Sequence, residues 1–259
     1  MTHFKIATFN ANSIRVRLPQ ILDWMAREAA DAVCVQETKV QDEDFPEATI
    51  REAGYDVAYA GQKSHAGVAT LSPHELTEVQ AGFDDGSDKP RLLHTVIEGI
   101  PIVNSYVPQG RSPDSEHFEY KIQWLDRIRN WFDTRYSPDE PLIWLGDLNV
   151  APQDIDVYNP TGLRGHVDFH PDAQAALERV RAWGFVDLFR KHHPDEPNQF
   201  TYYDYRAKDP IERNVGWRID HIWATEPLAA KCTEAWIDVD ARRADRPSDH
   251  TFLVAKFEL

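Results

Sequence analysis

Basic residues are in short supply: 28 Lys and Arg stand against 43 Asp and Glu, a formal net charge of −15. That balance excludes a chain holding nucleic acid by bulk electrostatics alone, but not a nucleic-acid enzyme with a local basic rim. A bound divalent cation would itself place strong positive charge at one point. The same acidity predicts weak non-specific DNA binding with a modest salt slope. Cysteine is scarcer still. Cys34 and Cys232 offer no zinc-type spacing and no disulfide framework, so both read as buried or spare thiols in a reducing compartment. No apolar run approaches the roughly 20 residues that cross a bilayer, and Met1 leads directly into a strand pattern with no leader-like segment. The expectation is a cytoplasmic protein that spans no membrane. A Gly-rich phosphate loop and a Ser or Cys nucleophile motif are missing, which argues against P-loop nucleotide chemistry and covalent acyl-type catalysis. Heptads are missing too, so a monomer is expected.

What is present is ordinary in amount and ordered in pattern. With 259 residues, 42% apolar and 27% charged, the chain can bury a full core, and residues 1–259 read as one domain. Phe4–Phe9 alternates as a strand, Pro19–Ala30 carries Ile21, Leu22, Met25, Ala26 and Ala29 on one helical stripe, and Ala32–Gln36 is an apolar strand. Strand, helix and strand at this spacing make a right-handed crossover, which puts Asn10 and Glu37 on the same sheet rim. Short strands at Val57–Ala60, Gly67–Leu71, Leu92–Glu98 and Pro101–Val107 predict antiparallel pairing. Helices are predicted near Lys121–Thr134 and Asp172–Trp183, and strands at Leu142–Leu145, Arg218–Trp223 and Thr251–Phe257. This order predicts an α/β domain of two sheets face to face, with helices outside.

Polar residues cluster where strands end. Asn10, Glu37, Tyr106, Asp147, Asn149, Asp220, Asp249 and His250 all follow or interrupt apolar runs. Each has a structural reading of its own. Asp147 and Asn149 can close a turn on their own backbone, Glu37 can be a solvated strand end, and Ser248–His250 can be a polar turn. Eight such residues along one rim have a joint chemical reading. Glu37 and Asp249, with an amide such as Asn10, offer the oxygen ligands that Mg²⁺ takes. His250 with Asp220 makes a base and its orienter. Asp147 and Asn149 sit two apart and can serve an oriented water or a leaving oxygen. The residues therefore predict a metal-assisted phosphoesterase.

Eight runs in order carry a resemblance: Asn10–Asn12, Gln36–Lys39, Gly61–Lys63, Gly67–Ala69, Tyr106–Gly110, Gly146–Asn149, Gly216–Asp220 and Ser248–His250. From residue 4 onward the chain resembles the exonuclease III family, the abasic-site repair branch of the endonuclease/exonuclease/phosphatase superfamily. The resemblance implies a four-layered α/β sandwich with two mixed sheets face to face. It implies Mg²⁺- or Mn²⁺-dependent cleavage of double-stranded DNA 5′ to abasic sites, and processing of 3′ ends. By position, Glu37 would be the principal metal ligand, with Asn10, Asp249, Asp147 and Asn149 about it. Asp147 would activate water or carry the proton, and Asn149 would orient the water or phosphate. His250, held by Asp220, would polarise the scissile phosphate, and the Tyr106 hydroxyl would sit at the phosphate or leaving group. Gln109, Lys121 and Arg91 would contact the DNA backbone. Trp217, Ile219 and Tyr202 would form an apolar pocket for the base-free sugar. The segment Asn159–Pro171 departs from the family pattern, and bears on the balance between abasic incision and 3′-end processing. Two other readings compete: a phosphoesterase for blocked 3′ ends, small phosphorylated molecules or lipids, and a DNA-binding module without catalysis.

Overall fold

The computed structural model describes residues 3–259, so Met1, on which the absence of a leader was argued, lies outside them. In chain order the first part comprises β1 (His3–Asn10), α1 (Ile14–Glu28), β2 (Ala32–Gln36), α2 (Glu47–Glu52), β3 (Asp56–Gly61), β4 (Gly67–Ser72) and β5 (Thr77–Ala81). The middle part comprises β6 (Leu92–Ile97), β7 (Ile100–Tyr106), α3 (Glu116–Arg135), β8 (Ile143–Asp147), α4 (Pro160–Leu163), α5 (Pro171–Arg181), β9 (Phe185–Asp187) and α6 (Leu188–His192). The chain closes with β10 (Asp220–Thr225), α7 (Glu226–Ala229), β11 (Cys232–Asp238) and β12 (Phe252–Glu258).

Two mixed sheets result, ordered β11-β12-β1-β2-β4-β3 and β5-β6-β7-β8-β10-β9. The first takes strands from both ends of the chain. Between the sheets lie Ile6, Cys34, Val68, Leu93, Ile102, Leu145, Ile222 and Leu253, all buried. Burial on both faces explains why these strands read as near-continuous apolar runs. Outside the first sheet, α1 lays Ile14, Ile21, Trp24 and Met25 on Phe9 and Phe252, with the Trp24 and Phe252 rings stacked at 4.3 Å. Outside the second, α3 and α5 bury Trp124, Leu125, Ile128, Phe132, Ala176, Leu177 and Val180 against Trp144. The layers are helix, sheet, sheet, helix, the α/β sandwich expected.

Two helices start earlier than expected, α1 because its buried stripe runs further back and α3 because of its cap. α1 starts at Ile14, five residues ahead of Pro19, because Ile14 and Leu18 prolong the buried stripe; Pro19 stays within the helix and removes one amide donor. α3 starts at Glu116 rather than Lys121, since Ser115 Oγ accepts from Phe118 N at 3.3 Å and Glu116 and Glu119 occupy the first turn. Residues 217–219 lie outside β10 and are held by isolated bridges from Trp217 to Val157 and Tyr202. The sequence reading missed β5, β9 and β11, which are edge strands. β5, Thr77–Ala81, has no buried residue, so no apolar alternation marks it.

One glycine is demanded by pairing. Gly146 lies inside β8 at φ 138°, and a Cβ there would stand 1.9 Å from the Ser105 carbonyl oxygen of β7. Gly146→Ala is expected to destabilise the protein by on the order of 3 kcal/mol, because strain and a broken ladder coincide. Urea unfolding of the variant checks this.

Candidate active site

Strand register builds the site. β1 and β2 run parallel with Asn10 opposite Gln36, so Asn10 and Glu37 leave the first sheet side by side. In the second sheet, Tyr106 lies opposite Asp147 in the parallel β7–β8 pair, and Asp147 opposite Asp220 in the antiparallel β8–β10 pair. Three polar side chains thus form one row across three strands. His250 arrives from the turn before β12. In that turn Ser248 Oγ donates to Asn10 O at 2.7 Å and accepts from His250 N at 3.2 Å.

These rims meet. Asn10 Nδ2 donates to Glu37 Oε1 at 3.0 Å and to Asp147 Oδ2 at 2.8 Å, joining carboxylates from the two sheets. The Tyr106 hydroxyl donates to the same Glu37 oxygen at 2.9 Å. His250 Nδ1 engages Asp220 Oδ2 at 2.8 Å, and its Nε2 faces Asp147 Oδ2 at 3.9 Å. The turn reading of Gly146–Asn149 is also present, for Asn149 N donates to Asp147 Oδ1 at 3.0 Å. Glu37 and Asn149 both sit at left-handed φ, 49° and 50°. Such backbone in a glutamate at a strand end is strain held by its surroundings.

The electrostatics are those of crowded carboxylates. Burial and the charge of Asp220 push the Asp147 carboxyl well above its usual range, against the opposing influence of His250 and Asn10. Burial alone would discharge His250, but Asp220 outweighs it and pushes the imidazole up to about 10. Glu37 is also disfavoured by burial; Lys39, whose Nζ lies at 2.6 Å, and Asn10 nonetheless hold it below the ordinary glutamate range. Burial, with Glu37 and Asp147 beside it, raises Tyr106 well above a free tyrosine, so its hydroxyl remains a donor.

A cavity of about 530 Å³ opens over this floor. Glu37, Tyr106, Asp147, Asn149, Asp249 and His250 line its base, while Tyr202, Trp217, Ile219, His166 and Asp168 form its walls. Tyr202 packs on His250, and His166 on Trp217, each pair with ring centroids 4.9 Å apart. A second concavity of about 400 Å³ shares Glu37, Tyr106, Gln109 and Arg111 and adds Lys39, His65, Arg91 and His117. Cations therefore gather beside the acidic centre despite the chain's overall charge. A further cavity of about 620 Å³, lined by Gln174, Arg181 and Arg190 on the α5 side, holds none of these groups.

Most residues singled out from sequence converge here, and one does not. Lys121 is fully buried: its ammonium points inward to Asp168 Oδ1 and three main-chain carbonyls, so it cannot reach a DNA backbone. Arg91 stacks over the Tyr106 ring at 5.0 Å and donates to Tyr106 O, on the rim of the basic concavity. Gln109 lines both hollows and donates to Asp168 Oδ2 at 3.1 Å. Asn10 Nδ2 donates to two carboxylates, and its Oδ1 accepts from Asn12 N at 3.0 Å, so the side chain bridges two of the candidate ligands. Sequence reasoning missed Asp168, His166, Arg111 and Asn12, the last donating to Asp249 Oδ1 at 3.0 Å. The departure of Asn159–Pro171 from the family pattern was the available signal for His166 and Asp168.

The donor set fits a hard divalent cation. Asp147, Asp220 and His250 bring ligand-type atoms within 4.8 Å of one another, but His250 Nδ1 is committed to Asp220. The outward-facing donors are the oxygens of Glu37, Asp147, Asn149 and Asp249, since Asn149 Nδ2 is spent on Val107 O. A carboxyl driven up by burial and by a neighbouring carboxylate, as Asp147 is, marks a place where a cation stabilises the ionised form.

A family model described as the endonuclease/exonuclease/phosphatase family matches residues 7–250. The chain belongs to that family. Within it, the chain lies in the exodeoxyribonuclease III-like branch: it is 32% identical over 267 residues to exodeoxyribonuclease III of Haemophilus influenzae, covering 98% of this chain and all of that one. Among solved structures, an AP endonuclease from Archaeoglobus fulgidus is 45% identical with a TM-score of 0.96, covering 99% and 100% of the two chains. A 3′ phosphatase from Neisseria, bound to a product DNA hairpin, is 31% identical with a TM-score of 0.92 over the same shares. The family is divalent-metal dependent.

Proposed function

We propose that this family member is a DNA repair nuclease that incises duplex DNA 5′ to abasic sites and processes 3′ ends as exonuclease and phosphatase. One observation carries the reading: Tyr106, Asp147 and Asp220 stand in register across β7, β8 and β10, with His250 and Glu37 closing over them. The full-length likeness to nucleases and to a 3′ phosphatase supports the same substrate class.

Glu37, Asp147, Asn149 and Asp249 would hold the cation, Mg²⁺ or Mn²⁺, with Asn10 keeping two of the carboxylates together. The ion supplies charge neutralisation at the phosphate. The remaining steps belong to side chains. His250, kept charged by Asp220, donates through Nε2 to a phosphate oxygen. Tyr106 donates its hydroxyl at the same group, and Asn149 Oδ1 orients the attacking water. Asp147 carries the proton, taking it from the water or passing it to the leaving 3′ oxygen. Trp217, Ile219 and Tyr202 receive the base-free sugar, which presents few hydrogen-bonding groups. Arg91, Gln109 and Arg111 lie beside the strand. The acting form is a cytoplasmic monomer. No helix among the described residues is long and apolar enough to cross a membrane.

The test is a duplex carrying one abasic site, 5′-labelled, incubated with Mg²⁺ and then with EDTA. Cutting at the site with Mg²⁺ and none with EDTA is expected, and Trp217→Ala should slow it more than it slows removal of a 3′-phosphate. His166 and Asp168 make the sugar pocket more polar than an all-apolar wall. An intact abasic strand with a trimmed 3′-phosphate would restrict the function to 3′ ends; no Mg²⁺-dependent cleavage of either would refute the proposal.

A further inference from the structure

Lys121 lies on α3 with no exposed surface, and its ammonium meets four acceptors. These are Gln109 O at 3.1 Å, Asn149 O at 2.5 Å, Val167 O at 2.8 Å and Asp168 Oδ1 at 3.0 Å. They come from three separate connections: β7 to α3, β8 to α4, and α4 to α5. Each connection contributes a residue to the cavity, namely Gln109, Asn149 and Asp168. We propose that Lys121 is a positioning residue whose buried ammonium locks these three loops together, fixing Asn149 against the reacting phosphate and Asp168 in the pocket wall.

Stability alone does not call for a lysine there. Desolvating an ammonium costs several kcal/mol, and buried ion pairs replaced by apolar groups of similar volume often lose nothing. An apolar side chain, however, cannot draw three carbonyl oxygens to one point, where their dipoles repel each other. Asn149 shows what the lock holds. It sits at φ 50°, its N–H is taken by Asp147 Oδ1, its side-chain Nδ2 by Val107 O, and its carbonyl by Lys121. Three anchors orient one amide, and only the last crosses to a helix outside the sheet. Asp168 is likewise held at both oxygens, by Lys121 and by Gln109 Nε2. A displacement of about 1 Å at such a group costs on the order of 10²-fold in rate.

This inference rests on the proposed role of Asn149, and its test separates the two. A cycle of Lys121→Met, Asn149→Ala and the double variant is assayed on whichever DNA site or end the unaltered protein cuts. Lys121→Met is expected to lower kcat about 10²-fold with KM changed less than about threefold. In the Asn149→Ala background the same change should cost less than about threefold, because its effect runs through Asn149. Independent, multiplicative losses would overturn the inference while leaving the proposed activity intact. Ile128→Val, a core change on the same helix, controls for lost stability and should keep kcat at any matching fall in Tm. If Lys121→Met yields no folded protein, Lys121→Arg replaces it, since the planar guanidinium keeps the charge but cannot converge on the same carbonyls. Full kcat in that variant would equally overturn the inference.

Discussion

Asp147→Asn is expected to reduce turnover on every DNA substrate by about 10³-fold or more, with the fold and the melting temperature little changed. The substitution keeps shape and volume, and an amide can still accept from Asn149 N through one atom. It removes the proton carrier and one oxygen ligand in a single step. It also removes the negative charge facing His250 Nε2 at 3.9 Å, so the imidazole loses a partner but keeps Asp220. Steady-state rates on an abasic duplex and on a 3′-phosphate end, beside circular dichroism of the variant, check the result. Ordinary turnover on either substrate would remove Asp147 from the centre of the reaction. A loss confined to the abasic substrate would mean that the residue shapes the sugar pocket instead.

Arg218→Met is expected to be the most destabilising single change. Arg218 has no exposed surface and lies between Trp217 and Ile219, two residues of the pocket wall. Its Nε and Nη2 donate to Asp156 Oδ1 and Oδ2 at 2.7 and 3.2 Å, a two-pronged pair, and its Nη1 donates to Asp187 Oδ2 at 2.9 Å. Although burial disfavours their charged forms, the guanidinium holds both carboxyls below their usual range. Arg190 commits its guanidinium to Asp156 Oδ1 and reaches Asp187 Oδ1 only through its backbone N, at 3.1 Å, so it brings no side-chain charge to Asp187. Removing Arg218 leaves a buried carboxylate without its counter-ion, which costs about 3–5 kcal/mol. For a chain of this size that is roughly 6–20 °C in Tm. Calorimetry of the variant decides it, and a loss under about 1 kcal/mol would mean that the network is redundant. Activity should fall too, because the side-chain pair to Asp156 and Asp187 is what anchors residues 217–219 of the pocket wall, leaving only the backbone bond from residue 218 N to Asp156 O.

How much of this was legible beforehand follows from what each signal depends on. Central strands announced themselves because both faces are buried, as in Ala32–Gln36 and Ile143–Asp147, so apolar content alone marks them. The parallel β1–β2 unit fixed the neighbourhood of Asn10 and Glu37, since a crossover of that length brings both strand ends to one rim. Edge strand β5 escaped because one unpaired side and no buried residues leave no pattern to detect. Lys121 was misplaced for a related reason. A lysine in sequence implies solvent, and only the convergence of three loops reveals why this one is enclosed.

The polar residues at strand ends, and hence the chemistry, were determined by the sequence itself. Carboxylate, amide, imidazole and phenol carry their reactivity wherever they are placed, and strand periodicity decides which side of a rim they face. Tertiary structure alone decided the distances. The 2.8 Å between Asn10 and Asp147 spans 137 residues and two sheets, and it follows from how the sheets pack. Burial, together with Asp220 opposite it in the β8–β10 pair, raises the Asp147 carboxyl, and Asp220 keeps His250 charged against the opposing effect of burial. Electrostatic coupling falls with distance and rises with burial, and neither quantity is written in a single chain position.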